Sequence, residues 1–296
     1  MPSNKALAAG TIVVTATEPS GGVPAVFRLS PTSGAPTEVG SGGEFVTPIG
    51  IAVDRQGNIL VADADAFGGQ GGVIRVDATT GKQTTLSSVG LFSNPFDLAI
   101  EASGSIVVAD PHAQGTGGVI RVDPTTGKQT MLSSGAADQL REIGIAVEAS
   151  GTIIIVEQSL SGVGAGNGRV TRIDPKSGAR TVVSQGGSFS SPAGVAVEFG
   201  GGILVADTDA FGGSGGVIRV DPSSGQQTAV ASGGSFVTPI AVALEANGSI
   251  LVADADAFAG KGGVVRVDAS SGAQKTVAQG GTFAGPRGVA VVLAGH

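Results

Sequence analysis

Apolar residues come in short runs that recur at a fixed spacing, four runs to a unit. The first run has the form Pro-x-Gly-[IV]-Ala-Val-acid, as at 48–54 and 192–198. The second is Gly-x-Ile-Leu-Val-Ala-Asp, as at 57–63 and 248–254. The third is VIRVD at 73–77, 119–123 and 217–221, with VTRID at 170–174, VVRVD at 264–268 and a degraded VFRLS at 26–30. The fourth is Lys-Gln-Thr-x-Leu-Ser-Ser, as at 82–88. All are rich in Val, Ile and Thr and bounded by Gly, Pro and Asp, which predicts strands. The first two are nearly continuous apolar runs, the mark of strands buried on both faces, and the outer two alternate more. No long stretch carries the 3.6-residue period of a helix.

The third and fourth runs are joined by Asp-Pro-Thr-Thr-Gly (123–127), Asp-Pro-Lys-Ser-Gly (174–178) and Asp-Pro-Ser-Ser-Gly (221–225). Proline presets φ for the turn, Asp caps it through its side chain, and Gly takes the positive-φ position. Hairpin turns of this kind make each unit an antiparallel meander. The arginine of the third run recurs at Arg28, Arg75, Arg121, Arg172, Arg219 and Arg266, at intervals of 47, 46, 51, 47 and 47. Six four-stranded units predict an all-β, six-bladed β-propeller over residues 1–296 as one domain. The N-terminal run Thr11-Ile12-Val13-Val14 is a second strand, and the C-terminal run at 286–292 is a first strand. The two termini are therefore expected to share one blade, which removes the open edge of a linear array. Blades are numbered here from the first complete unit, so the shared blade is the sixth.

Composition narrows the chemistry. The 296 residues include 51 Gly, no Cys, no Trp and no Tyr, and every aromatic is one of 11 Phe. Absence of Cys excludes a disulfide scaffold, a thiolate metal site and a Cys nucleophile. Two His residues leave almost no room for a His-rich metal site. A net charge of −7 lacks the basic footprint of a nucleic-acid partner. No apolar run reaches the length of a membrane span, and MPSNKALAAG has no apolar core, so neither membrane partner nor signal peptide is expected. The expectation is a soluble monomer, with its compartment open. The Gly-Gly-Gln-Gly-Gly run at 68–72 and its copies precede no helix and carry no Gly-Lys-[ST] ending, so they are turns and not phosphate cradles.

Gly-[IV]-Ala-Val-acid followed by Gly-x-Ile-Leu-Val-Ala-Asp resembles the NHL repeat. The Arg-[IV]-Asp-Pro-x-[ST]-Gly turn resembles that of virginiamycin B lyase-type propellers, which have seven blades and shorter repeats. Six-bladed relatives of this architecture include the SMP-30/gluconolactonase, strictosidine synthase-like and paraoxonase-like proteins. The resemblance implies a propeller. It implies a divalent cation such as Ca at the central axis for the metal-dependent members, held by acidic and Asn side chains. Asn58 and Asn247 fall in first-to-second-strand turns, on the wrong face for that site.

Residues repeated in most blades read as architecture. Asp63, Asp110, Asp207 and Asp254 end second strands, where they can accept loop amides or form a ring of cation ligands. Phe45, Phe92, Phe189, Phe236 and Phe283 are expected to wedge between blades, with an aromatic ligand-binding rim as the alternative. Phe67, Phe211 and Phe258 either pack locally or present an apolar patch beside Asp65, Asp209 and Asp256.

Residues that depart from the repeat carry the functional expectation. Asp97 replaces Gly near the axis, Glu142 replaces Pro, and His112 replaces the second Asp of the loop after the second strand. These three are the candidate catalytic or cation-holding groups, expected to converge on one pocket. Arg141, Glu157 and Arg287 are the candidate ligand-binding residues, with Asp138 in the lengthened loop beside Arg141. Restoring the repeat with Asp97→Gly and Glu142→Pro is expected to preserve or raise stability. Two functions follow. One is a binding propeller holding a small molecule, a glycan or a protein loop on the face of the inter-blade loops. The alternative is a small-molecule enzyme of lactonase, esterase or lyase type with an axial acidic site.

Overall fold

The structure is a computed structural model that describes residues 7–17, 22–135, 140–159, 168–281 and 283–293. Its strands form six four-stranded sheets, each a sequential antiparallel meander except the sixth. There the C-terminal strand Pro286–Val291 pairs with Ile12–Ala16, which continues through Ala25–Leu29 to Pro36–Ser41. The termini thus build one blade, as the complementary half-units require. Among the described residues, no helix is long and apolar enough to cross a membrane.

Burial follows the hydrophobic pattern. The second strands Ile59–Asp63 and Ile106–Asp110 are buried at every residue. The fourth strand Gln83–Ser88 is largely open to solvent. The core is divided among the blade interfaces. Val13 and Val26 of blade six pack with Ile51, Val61 and Ile74 of blade one, and corresponding clusters fill the other interfaces round the ring. Phe45, Phe92, Phe189, Phe236 and Phe283 sit in five of these clusters. Each is a wedge between blades.

Polar groups lock the same interfaces. Arg121 donates through Nε and Nη2 to Glu101 at 2.7 Å each, and through Nη2 to Pro175 O in the next blade. Arg219 repeats this fork with Glu198 and Ala269 O. Arg121 and Arg219 therefore act as struts between blades. Gln83, Gln227 and Gln274 each reach from a fourth strand to the loop of the preceding blade, donating to Gly42 O, Gly186 O and Gly233 O. The turn glycine between third and fourth strands combines two demands: Gly81 has φ +73, and a Cβ there would lie 2.2 Å from Val39 O of the neighbouring blade.

The second-strand aspartates act as loop anchors. Asp63 accepts backbone N–H groups from Val46, Thr47, Asp65 and Ala66, and Asp254 does the same in blade five. The loops after them form single turns such as Ala66–Gly69, with Phe67 and Gly68 at positive φ. The Phe67, Phe211 and Phe258 rings lie over Gly72, Gly216 and Gly263, close enough to collide with a Cβ there. This is local packing.

Candidate functional site

The first strands Pro48–Val53, Asp97–Ile100, Leu140–Val147, Pro192–Val197, Pro239–Leu244 and Pro286–Val291 are the innermost strands. Near their starts five of the six carry a bulge: the register shifts between Pro48 and Ile51, Glu142 and Gly144, Pro192 and Gly194, Pro239 and Ala241, and Pro286 and Gly288. A bulge re-aims side chains. Here it turns the second residue of the motif toward the axis, where it would otherwise alternate away. Ile49, Phe96, Ile143, Ala193, Ile240 and Arg287 form an outer ring round a cavity of about 440 Å³. Ile51, Leu98, Ile145, Val195, Val242 and Val289 form a deeper ring. Thr47, Gln158 and Thr208 add polar groups on the side of the inter-blade loops.

Between the two rings the chain favours glycine because neighbouring first strands approach closely. A Cβ on Gly50 would lie 2.6 Å from Asp97 Cα, and one on Gly194 2.7 Å from Ala241 Cα. Asp97 occupies this level in blade two. Its Oδ1 accepts Leu98 N–H at 2.9 Å and its Oδ2 accepts Ile145 N–H of blade three at 3.0 Å. Protein surrounds the carboxyl group, although the cavity leaves part of it accessible. Burial pushes its pKa up to about 7 against the opposing pull of those two amides. Arg287 is the other charged group lining the cavity among the described residues. Its Nε donates to Thr17 Oγ1 at 3.3 Å, and among the described residues it has no ion-pair partner.

The remaining candidates lie elsewhere. Glu142 is fully buried and is not part of the cavity wall. It stands at the Pro position ahead of the bulge, so its side chain enters the interface between blades two and three. There Oε1 accepts Arg180 Nη1 at 2.8 Å, while Oε2 lies buried with no hydrogen-bond partner. Burial raises its pKa, and Arg180 acts in the opposite direction. Glu157 pairs across the strand from Glu142. It accepts Arg169 at 2.7 and 2.6 Å, Thr171 Oγ1 at 2.5 Å and Arg180 Nη2 at 2.5 Å. This four-charge cluster takes the place of the Asp anchor and the Gln latch of blades one, two, four and five.

His112 is exposed in the loop after the second strand of blade two, where its backbone N–H donates to Asp110. Arg141 donates to its neighbour Leu140 O at 3.0 Å and does not line the cavity. Asp138 lies outside the described residues. Of the candidates, the cavity therefore joins Asp97 and Arg287. The expected meeting of Asp97, His112 and Glu142 in one pocket does not occur, because only motif positions at and beyond the bulge face the axis. Arg169, Thr171 and Arg180 went unnoticed in the sequence. Their signal was a coincidence of departures in one blade, where Gly, Ile and Gln of the other units are replaced together.

An axial divalent cation finds little to hold it. Calcium takes six to eight oxygen ligands. The cavity offers one carboxylate with both oxygens already accepting backbone N–H groups, and an arginine beside it. Among the described residues no three His, Cys, Asp or Glu side chains group as a metal site. The residues present do not fit the cation.

No family profile matches the chain, and no curated protein matches it in sequence. Solved structures match its fold. A chain from a nidogen/laminin complex superposes with a TM-score of 0.74 at 15% identity, over 96% of this chain and 99% of the other. A gluconolactonase from Xanthomonas campestris gives 0.64 at 15% identity, over 97% and 91%. The calcium-binding protein regucalcin from Agrobacterium tumefaciens gives 0.60 at 16% identity, over 79% and 74%. Likeness at these identities is likeness of fold.

Proposed function

We propose that the chain is a binding propeller that takes a small molecule into its axial cavity. One observation carries the reading: two stacked rings of first-strand side chains enclose about 440 Å³ of largely apolar space, whose charged groups are one Asp and one Arg among the described residues. Apolar walls with a few convergent polar groups are the usual form of a small-molecule site. A glycan or a protein loop fits less well. Phe96 is the one aromatic on the wall, and the space is closed round by six strands.

The test is direct. Hexan-1-ol, followed by ligand-observed saturation-transfer NMR, is expected to bind the native protein, and Ala193→Phe is expected to abolish the signal. Blade two already carries Phe96 at this position, so the ring accommodates the larger side chain. Binding unaffected by Ala193→Phe places the site elsewhere.

An enzymatic reading has one observation in its favour. Asp97 has a pKa near 7 in an apolar setting, which suits a general acid or base, and a gluconolactonase stands among the structural neighbours. Among the described residues no His or second carboxylate lines the cavity to share the work, so binding is the leading reading. Turnover of an aldonolactone that disappears in Asp97→Asn would reverse that order.

A further inference from the structure

Resting on the axial-cavity reading, we infer that the ligand is an organic acid, an apolar body ending in a carboxylate that Arg287 receives. Arginine at this position is costly unless something uses it. Four of the other five blades place Ile or Phe there, and the fifth places Ala, all of them facing the same cavity. The cation stands on a wall of Ile, Val, Leu and Phe, and donates to one neutral hydroxyl, Thr17 Oγ1, at 3.3 Å.

The rest of the molecule supplies the control. Arg121, Arg172, Arg219 and Arg266 each meet a Glu at 2.8 Å or less, and Arg169 and Arg180 meet Glu157 and Glu142. Six of the partly buried or buried arginines thus meet carboxylates closely, while Arg75 stands 4.0 Å from Asp54. Arg287 lacks a carboxylate partner among the described residues, and its guanidinium fork matches a carboxylate edge-on.

Asp97 does not serve as that partner. It leans away from Arg287 toward blade three, where both of its oxygens are held by Leu98 N–H and Ile145 N–H, and no ion pair joins the two residues. Burial also keeps its carboxyl partly protonated at neutral pH. The deeper ring of Ile, Leu and Val is purely apolar and receives the ligand's hydrocarbon end. Arg287, in the outer ring, receives the acid end nearer the inter-blade loops.

The experiment compares hexanoate, hexan-1-ol, hexylamine and hexyl phosphate on the intact protein at pH 6.5, by saturation-transfer NMR and titration. Hexanoate is expected to bind at least tenfold tighter than hexan-1-ol, about 1.4 kcal/mol, with hexylamine weakest. Arg287→Ile, which installs the residue of blades one, three and five, is expected to bring hexanoate down to the level of hexan-1-ol while leaving hexan-1-ol unchanged. Equal binding of hexanoate and hexan-1-ol to the native protein overturns the acid assignment and leaves the cavity reading standing. Tighter binding of hexyl phosphate than of hexanoate overturns the carboxylate in favour of a phosphate ester. Failure of all four probes overturns the cavity reading itself, and the inference with it.

Discussion

Asp97 shows what one departure from a repeat can do. A carboxyl group stands where close strand approach favours glycine, and the fold prefers its neutral form. Its folded pKa of about 7 exceeds the ordinary 3.8, so the folded chain holds the proton more tightly than the unfolded one. That stabilisation is complete below the unfolded value and is lost as pH rises through about 7, each unit of pKa being worth about 1.4 kcal/mol. Asp97→Asn cannot ionise and is therefore expected to melt higher than the native protein at pH 8. Its advantage should shrink steadily toward pH 5, as followed by thermal melts at each pH. An advantage independent of pH would show that ionisation of Asp97 carries no cost. Ala259 gives a second, simpler case. It sits at φ 62° and ψ 45° where blades one and four have Gly68 and Gly212. Nothing lies within 4 Å of a Cβ on those glycines, so the strain at Ala259 is one of backbone alone. Left-handed backbone costs an L-residue about 1–2 kcal/mol, and glycine's freedom in the unfolded chain returns part of that. Ala259→Gly is expected to raise stability by about 0.5–1 kcal/mol in urea denaturation. A loss of stability would mean that the Ala259 methyl group makes a contact worth more than the strain.

Blade three shows the same logic at the scale of the element. Blades one, two, four and five anchor the incoming loop on a second-strand Asp and latch to the neighbour through a Gln. Blade three has Glu157 and Arg180 in those places, with Arg169, Thr171 and Glu142 completing a charge-balanced set. Removing one member strands the others. Arg180→Gln, though it restores the repeat, leaves Glu142 and Glu157 short of a cation and is expected to cost about 3–5 kcal/mol, read by urea denaturation. Glu142→Pro, which the sequence suggested would be harmless, is now expected to destabilise for the same reason. Replacing all five residues by their repeat counterparts should recover most of the loss, since a buried ion-pair network and a well-packed neutral one are of comparable stability. Cumulative losses in the fivefold variant would show that the cluster stabilises the blade beyond its pairwise balance. The strands, turns, wedges and Asp anchors of this element were legible because each recurs with its own spacing. The meeting of five separate departures was not, because their contact depends on which side of a bulge each residue falls. The bulge also explains why Arg287, which falls within it, reaches the axis while Glu142, one step before it, does not.

For the whole molecule, the ring is the unit of stability, and the sixth blade closes it. Ile12, Val13 and Val14 are fully buried, and they face both ways. Ile12 and Val14 pack with Leu251 and Ala253 of blade five, while Val13 packs with Ile51 and Val61 of blade one. Thr15 ties three segments together, its hydroxyl donating to Ile49 O at 2.6 Å and accepting Gly288 N–H at 2.8 Å. Gly10 N–H reaches Val292 O at 2.7 Å, so the seam runs to the ends of both strands. Deleting residues 1–40 removes Ile12–Ala16 and Ala25–Leu29 entirely, together with most of Pro36–Ser41. It leaves Pro286–Val291 without its sheet and opens the apolar faces of blades one and five to water. At about 25 cal/mol per Å² of apolar surface, exposing two such faces removes more than the few kcal/mol of net stability typical of a domain. The truncated chain is therefore expected to show no cooperative melt by circular dichroism and to bind an apolar dye at room temperature. The axial cavity should be lost along with the fold, because Arg287 and Val289 of its two rings stand on the strand left without a sheet. A truncated chain that melts cooperatively at the native temperature would mean that five blades close without the sixth.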